Sequence, residues 1–389
     1  MDQLPKNFQV NCSRSQPKRA KLLILKILKK LNHHQWQGKN IALVRGDNLG
    51  DMVLSLPLLQ ALKQHTGATI HVICRPYVFD LLSCVPWIDQ VHDMETMTVD
   101  RIVMLELAAA IFAIQNFNLD VALLKRFMVA GVPVRIGQGH QIYRPYLTDP
   151  IRRFYFNIYE PEIQRNFVLG RRLGITVPSL AQIQAMHRLS IQPVECCPPI
   201  PGDYVVLHLF SNKHGREWPI EHFAALIKKL KMLPMKVVLT GSRLERERAM
   251  AQYPEWFDDT QVLDGFGRFS LSQLIQVLKH AGAVVCAGTG PLHLAAALGT
   301  PTIGLFPRFR GCNQARWGAV GAHVINLEGQ DGCHKSRLEW HLRERDCQRI
   351  GDSCQCVANI QPEQVMAKLR QYLGINRSVA RPASPAPCG

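Results

Sequence analysis

One stretch in the second half of the chain, AVVCAGTGPLHLAAALGTPTIGLF (residues 283–306), constrains the fold more than any other. Ala283 to Ala287 and Thr302 to Phe306 are short apolar runs that predict buried strands. Between them the chain can turn sharply at Gly288-Thr289-Gly290 and begin a helix at Pro291. A helix that begins directly after a strand presents free N–H groups at its positive dipole end. The stretch therefore predicts a strand–turn–helix–strand unit with a site for a diphosphate.

This stretch is one of three motifs, and their order along the chain is informative. The other two are VRGDNLGDMVLSLPLLQALK (Val44 to Lys63) and HLFSNKHGREWPIEHFAAL (His208 to Leu226). In chain order, the three resemble the N-terminal, interdomain phosphate and donor-binding motifs of glycosyltransferase family 9, the bacterial lipopolysaccharide heptosyltransferases. The resemblance implies an α/β protein with two Rossmann-like domains facing across a cleft, the GT-B fold. It also implies a final helix that crosses back to the first domain.

The order of predicted strands and helices indicates two α/β domains on its own. The Pro-rich stretch from Ser190 to Asp203 lacks periodicity and is the predicted linker between them. In such sheets, ligands bind beyond the carboxyl ends of the strands. We therefore divide the chain into a basic N-terminal extension with an amphipathic helix (1–39), an acceptor-side Rossmann-like domain (40–190), a nucleotide-sugar-binding Rossmann-like domain (204–360), a C-terminal helix (361–373) and a disordered tail (374–389).

Four local predictions bear on the candidate site and on the packing of the domains. Asn40 to Val44 is predicted as the first strand, and Arg45 to Asp51 as the loop at its carboxyl end. Val121 to Leu124 is predicted as a further strand, and Gly241 to Glu245 as a loop.

The charge of the chain indicates an anionic partner. Lys and Arg number 46 against 30 Asp and Glu, a formal net charge of +16. Nucleic acid is not expected, because zinc-finger spacing, a basic region with heptads and aromatic RNA-binding motifs are all missing from the sequence. No apolar run approaches the ~20 residues of a membrane span, and no secretory signal is visible, so we expect a cytoplasmic protein. An anionic membrane surface or glycolipid fits the charge better.

The N-terminal extension contains a basic amphipathic helix. In KRAKLLILKILKKL (Lys18 to Leu31), the apolar residues Ile24, Ile27, Leu28 and Leu31 share one face at helical spacing. Two interpretations are open. The helix packs on the first domain with its lysines in solvent, or it lies on acidic lipid at the inner-membrane surface.

Asp51 is the candidate general base, since glycosyl transfer with inversion needs a base opposite the departing nucleotide. It follows Gly50 at a strand-to-helix turn and should therefore face the cleft. Spacing alone favours a second interpretation, an N-cap aspartate or first-turn acid that stabilises the helix dipole. The resemblance implies the catalytic role, because the acid of the family's GD motif is its proposed base. Asp47, in the same loop, is the alternative base.

The residues that would hold the donor fall in the other two motifs. Arg216 stands where the family usually has Lys, and a guanidinium can bind a diphosphate through two N–H groups. Glu245 matches the acid thought to contact the donor nucleoside, with a solvated helix-start glutamate as the alternative. Several family members have Asp where this chain has Gly288, which leaves that donor contact to backbone groups. The complete donor- and phosphate-binding set is Ser211, Asn212, Lys213, Arg216, Glu245, Gly288, Thr289, Gly290 and His293.

Metal and cofactor chemistry is not expected at this site. The sequence has no D-x-D motif, so charge neutralisation falls to Arg216, Lys213 and the helix dipole. A cysteine-rich segment lies elsewhere, at Cys333, Cys347, Cys354 and Cys356. Its spacings lack the paired C-x-x-C form of zinc sites, which favours ordinary reduced thiols. Metal binding and a local disulfide are the alternatives.

The sequence therefore predicts an inverting glycosyltransferase that transfers a heptose from ADP-heptose to the inner core of a lipopolysaccharide precursor. Its partners would be the nucleotide-sugar, an anionic glycolipid acceptor and the inner-membrane surface. A family 9 enzyme with another nucleotide-sugar or glycan acceptor is one alternative. A non-catalytic nucleotide-binding protein is another. The second is disfavoured because the glycine pattern is not G-x-G-x-x-G, as His293 occupies the third glycine position.

Overall fold

The computed structural model describes residues 35–113, 121–139, 142–151, 160–189, 200–211, 217–308, 312–329, 349–350 and 353–374. The predicted amphipathic helix at 18–31, most of the linker, the C-terminal tail from 375 onward, and Cys333 and Cys347 lie outside these ranges.

The first half of the chain forms a six-stranded parallel sheet in the order β3-β2-β1-β4-β5-β6. The inner strands are almost entirely buried, which explains why β1 and β2 are near-continuous apolar runs rather than alternating ones. The strands are β1 (Asn40–Arg45), β2 (Thr69–Cys74), β3 (Gln90–Asp93), β4 (Leu107–Phe112), β5 (Val134–Gln138) and β6 (Asp149–Ile151). The helices are α1 (Leu49–Val53), α2 (Leu56–Thr66), α3 (Phe79–Ser83), α4 (Val99–Met104), α5 (Val121–Val129), α6 (Glu162–Leu169) and α7 (Leu180–Met186).

The second half forms another six-stranded parallel sheet, in the order β12-β11-β10-β7-β8-β9. A small antiparallel hairpin of β13 and β14 follows it. The strands are β7 (Tyr204–His208), β8 (Lys236–Thr240), β9 (Val262–Asp264), β10 (Ala283–Ala287), β11 (Thr302–Phe306), β12 (Val324–Glu328), β13 (Arg349–Ile350) and β14 (Ser353–Cys354). The helices are α8 (Ile220–Leu230), α9 (Arg243–Gln252), α10 (Leu271–His280), α11 (Gly290–Ala297), α12 (Gln314–Trp317), α13 (Gln355–Ala358) and α14 (Pro362–Leu373).

The two sheets have the same topology. In each, the first strand of the half lies between the second and the fourth, so the chain order reverses at β1/β4 and at β7/β10. Ligands of open α/β sheets bind at the carboxyl ends of the strands at such switch points. The topology therefore places two candidate sites, one beyond β1 and one beyond β10. The domain boundaries given above remain our proposal, and each sheet lies inside one proposed domain.

The two halves pack against each other along several elements. One apolar cluster includes Leu43 and Met52 from the first half and Leu292 from the second. Hydrogen bonds also join the halves: Leu189 N–H donates to the Ala297 carbonyl at 2.8 Å, and Ser272 Oγ donates to Asp80 Oδ2 at 2.6 Å. These contacts hold the two halves together.

Three sequence-based expectations are corrected by the fold. Val121 to Leu124 is not a strand but the start of helix α5, whose buried side chains Leu123, Leu124 and Phe127 lie on one helical face. The loop predicted at Gly241 to Glu245 ends at Ser242, which caps helix α9. Helix α14 does not cross to the first domain in the part that the structure describes. Its buried side chains join the core of the second half and pack on α8.

Among the described residues, no helix is both long and apolar enough to cross a bilayer.

Candidate active site

The N-terminal turns of α1 and α11 meet between the two sheets. Their closest approach is at two glycines. A methyl group added to Gly50 would lie 2.9 Å from His293 Cδ2 and 3.4 Å from Gly290 Cα, and one added to Gly290 would lie 2.9 Å from Leu49 Cβ. Both positions therefore require glycine for the helices to approach this closely. The contact places Leu49 and Gly50, the two residues before Asp51, directly against the first turn of α11.

Asp51 is the third residue of α1, not its N-cap. The N-cap is Asn48, whose backbone N–H donates to Asp51 Oδ2 at 3.3 Å. Arg45 Nη2 donates to Asp51 Oδ1 at 3.0 Å. The carboxylate therefore acts as a first-turn acid, as one of the two interpretations expects, and its side chain stays 13% exposed at the cleft edge of the sheet. Capping and base catalysis are compatible here, because a carboxylate oxygen has more than one lone pair.

Arg45 is the residue that sequence reasoning missed. The sequence predicts it in the loop after the first strand, but it is the last residue of β1, and its side chain is completely buried. Its Nη2 lies 3.0 Å from Asp51 Oδ1 and 3.5 Å from Asp47 Oδ2. No sequence signal marks this burial, because an arginine next to Gly-Asp at a strand end resembles an ordinary loop cation.

His293 is buried against α1 in the first turn of α11. Burial lowers its pKa to about 4, so the imidazole is neutral at physiological pH. Its Nδ1 has no hydrogen-bond partner among the described residues. A neutral imidazole at a helix N-terminus donates or accepts a hydrogen bond without adding charge, which leaves the helix dipole as the source of positive potential there.

The turn between β10 and α11 packs against side chains of the two strands that flank the helix, Cys286 of β10 and Phe306 of β11. Thr289, the N-cap of α11, has its Oγ1 2.9 Å from the Sγ of Cys286. Burial raises the pKa of the Cys286 thiol to about 12, so this cysteine is not a nucleophile. A side chain at Gly288 would meet the ring of Phe306 at 2.8 Å. The structure thus explains why glycine stands there: Phe306 already occupies the space.

Glu245 lies in the first turn of α9, at the carboxyl end of β8. Its Oε2 accepts from the Ser242 backbone N–H at 2.6 Å, so it has the same capping geometry as Asp51 in the other half. It is buried rather than solvated, which corrects the alternative interpretation. His208 is its buried neighbour: burial lowers the pKa of His208, and the negative charge of Glu245 opposes that shift.

The structure describes only the two ends of the interdomain phosphate motif. Ser211 is buried, and its backbone N–H donates to Glu217 Oε1 at 2.9 Å. Glu217 in turn accepts from Arg248 Nη2 at 2.8 Å, so the base of the loop is held to α9. The segment between the ends lies outside the described residues, and so do the predicted phosphate contacts Asn212, Lys213 and Arg216.

The described part of the cysteine-rich segment lies in the core of the second half. The Sγ atoms of Cys354 and Cys356 are 3.0 Å apart, and both residues are buried. The hydrogen bond with Cys354 and burial raise the pKa of the Cys356 thiol. The described ranges contain no group of three or more His, Cys, Asp or Glu arranged to hold a metal ion.

Comparison with known proteins decides the family. The model of glycosyltransferase family 9 (heptosyltransferase) matches residues 110–343, more than half of the chain. The chain belongs to glycosyltransferase family 9. It is therefore a glycosyltransferase, as the three sequence motifs indicate.

Individual relatives of this family 9 chain are distant. Lipopolysaccharide heptosyltransferase 3 of Escherichia coli K12 is 23% identical over 279 residues, which cover 66% of the chain and 79% of that protein. Lipopolysaccharide heptosyltransferase 1 of Salmonella typhimurium LT2 is 24% identical over 183 residues, which cover 46% of the chain and only 57% of that protein. The solved ADP-heptose lipopolysaccharide heptosyltransferase II of E. coli superposes with a TM-score of 0.67 at 20% identity, covering 86% of this chain and 99% of that one. The likeness confirms the GT-B fold.

Acid should destabilise this protein through its buried histidines. The pKa of His187 is lowered to about 3, mainly by burial and secondly by the nearby His293. In the unfolded chain the pKa of this histidine is 6.5. Between these values the unfolded chain binds more protons than the folded one, so stability falls as pH drops below 6.5. We expect His187→Gln to remove on the order of 2 kcal/mol of the stability difference between pH 7 and pH 5. Urea unfolding of both proteins at the two pH values measures this, and parallel pH profiles would contradict it.

Proposed function

We propose that the chain is an inverting glycosyltransferase that transfers a heptose from ADP-heptose to the inner core of a lipopolysaccharide precursor. The observation that carries the proposal is the meeting of α1, the helix that bears Asp51, with the N-terminal turn of α11 at Gly50 and Gly290. The heptosyltransferase family and the ADP-heptose enzyme of the same fold support the choice of donor.

The reaction begins with the donor seated on the second half. Its diphosphate lies at the N-terminus of α11, where Thr289, Gly290 and neutral His293 supply hydrogen bonds and the helix dipole supplies positive potential. Its nucleoside lies toward Glu245, at the carboxyl end of β8. Lys213 and Arg216, from the interdomain phosphate motif, would add positive charge as the diphosphate departs.

Asp51 then acts from the first half. Its carboxylate accepts the proton of the acceptor hydroxyl while that oxygen forms a bond to the anomeric carbon of the heptose. The bond from the anomeric carbon to the diphosphate breaks on the opposite side, so ADP leaves and the anomeric configuration inverts. The positive helix end stabilises the charge that develops on the leaving group.

A panel of nucleotides separates this proposal from its alternatives. The melting temperature of the purified protein is measured with ADP-heptose, UDP-sugars, GDP-sugars, ADP alone and NADH. The proposal expects the largest upward shift with ADP-heptose and a smaller one with ADP. A larger shift with another nucleotide-sugar would favour a different family 9 reaction. A shift with NADH and none with nucleotide-sugars would contradict the proposal altogether.

We also propose that the enzyme works on the inner-membrane surface, where its anionic glycolipid acceptor would be. The net charge of +16 and the apolar face of Lys18 to Leu31 support this, because such helices bind acidic lipid. Deleting residues 1–35 should weaken binding to vesicles containing phosphatidylglycerol and leave turnover of a delipidated acceptor unchanged. Co-sedimentation with anionic and with neutral vesicles tests this, and equal binding by the full and shortened chains would refute the membrane role of the helix.

A further inference from the structure

The side chain of Arg45 is a buried cation that belongs to no phosphate-binding motif. Its exposure is 0%, and a charge in such a place is stable only when partners compensate it. On one side, Nη2 contacts the carboxylates of Asp51 at 3.0 Å and Asp47 at 3.5 Å. On the other side, Nη1 donates to Ser55 Oγ at 2.9 Å and to Asn166 Oδ1 at 3.3 Å.

These neighbours fix the guanidinium from behind. Ser55 Oγ donates to the Asp51 carbonyl at 2.9 Å, which closes a ring through Arg45, Ser55 and Asp51. Asn166, which is buried on α6, has its own amide fixed by donation to the Leu54 carbonyl at 2.9 Å. The planar guanidinium is therefore held in one orientation. Because Asp51 is bonded to it, the position of the Asp51 carboxylate is fixed as well.

We propose that Arg45 is the positioning residue of the catalytic base: it holds Asp51 in one rotamer and balances its negative charge while the donor diphosphate lies nearby. The inference rests on the proposed function, because it takes Asp51 to be the base. Without Arg45, the carboxylates of Asp47 and Asp51 would lose the guanidinium that lies within 3.5 Å of both. A cation next to a carboxylate favours the ionised form, which is the form that a general base needs.

The test is a double-mutant cycle with Asp51→Asn and Arg45→Ala. If Arg45 acts through Asp51, Arg45→Ala alone should lower kcat on the order of 10²-fold, the scale of general-base catalysis, and leave the Kd for ADP unchanged. In the Asp51→Asn background, the same change should cost almost nothing further, because the base is already absent. Guanidinium ions added at millimolar concentration should restore part of the kcat of Arg45→Ala but none of that of Asp51→Asn.

Matched variants separate positioning from folding. Lys63→Met removes another ion pair of the first half, with Asp89 at 2.7 Å, away from α1, and should leave kcat unchanged. Arg45→Lys keeps the charge but cannot reach Asp51, Ser55 and Asn166 together, so its kcat should lie between those of wild type and Arg45→Ala. Should Arg45→Ala fail to fold, the cycle is run with Arg45→Lys.

Two outcomes overturn the inference, and they are distinguishable. If Arg45→Ala lowers kcat by the same factor in the wild-type and Asp51→Asn backgrounds, Arg45 only stabilises the fold. The assignment of Asp51 as the base would then still hold. Normal turnover by Asp51→Asn would show that the proposed base itself is wrong, and the role of Arg45 would fall with it.

Discussion

Asp51→Asn should fold, bind ADP and lose at least ~10²-fold in kcat, the lower end for removal of a general base. An amide cannot accept the proton of the acceptor hydroxyl at neutral pH. Its oxygen can still accept from Arg45 Nη2, but its NH₂ group then faces the Asn48 N–H, so one hydrogen bond of the α1 cap is lost. That loss should cost about 1 kcal/mol of stability. Steady-state kinetics, ADP titration and thermal unfolding of the same preparation separate the two effects.

Asp47→Asn is the matched control for this prediction. Asp47 also contacts Arg45 Nη2, at 3.5 Å, and its backbone carbonyl accepts from the Tyr77 hydroxyl. Its replacement removes a carboxylate from the same loop but leaves Asp51 in place, so turnover should remain near that of wild type. If Asp51→Asn is merely less stable and Asp47→Asn is inactive, Asp51 is a first-turn capping acid and Asp47 is the base.

Gly50→Val should also reduce kcat by roughly 10²-fold, for a geometric reason. Even a methyl group at this position would lie 2.9 Å from His293 Cδ2, and valine adds two more carbons. Because the ring of His293 is buried, it cannot move aside, so α1 must shift away from α11. A displacement of about 1 Å between base and donor is enough for such a loss. The donor contacts lie on the second half, so the Kd for ADP should change little.

Gly67→Ala distinguishes this effect from simple loss of stability. Gly67 ends α2 with a φ of +62°, a conformation that strains any residue with a Cβ, and it lies at the opposite edge of the sheet from the site. The variant should melt at a lower temperature and turn over normally. If Gly50→Val also turns over as fast as wild type, the contact between α1 and α11 is not part of the catalytic arrangement.

The strands and helices of the second half could be predicted well because their signals are local. Ala283–Ala287 and Thr302–Phe306 are apolar runs bounded by glycine, proline or polar residues, and the structure confirms their bounds. The C-terminal helix predicted at 361–373 is observed at Pro362–Leu373, because proline at the first helical position and glycine just after the last define both limits.

The wrong predictions concern features that depend on tertiary contacts. Val121 to Leu124 is a short apolar run, and such a run does not distinguish a strand from the buried face of a helix. Glu245 begins a helix, where a glutamate is often solvated, and its burial beside His208 depends on residues far away in the chain. The packing of α14 on α8 likewise follows from which apolar faces meet, which no local pattern specifies.

For the candidate site, the motifs predicted the positions but not the connections between them. Gly50, Gly290 and His293 come from motifs far apart in the chain, and the structure shows that they adjoin. The role proposed for Arg45 was invisible in the sequence, because it depends on Asn166, a residue 121 positions away. Long-range polar contacts of this kind leave no periodic pattern.

The most direct test of the account is the product of one reaction. Wild type and Asp51→Asn are incubated with ADP-heptose and a lipopolysaccharide inner-core acceptor, and ADP release, acceptor mass and the anomeric NMR signals of the product are recorded. We expect wild type to release ADP only when acceptor is present and to add one heptose to it. The new linkage should have the anomeric configuration opposite to that of the donor. Asp51→Asn should be nearly inactive. A product of retained configuration, or no transfer from ADP-heptose where another nucleotide-sugar is consumed, would contradict the account.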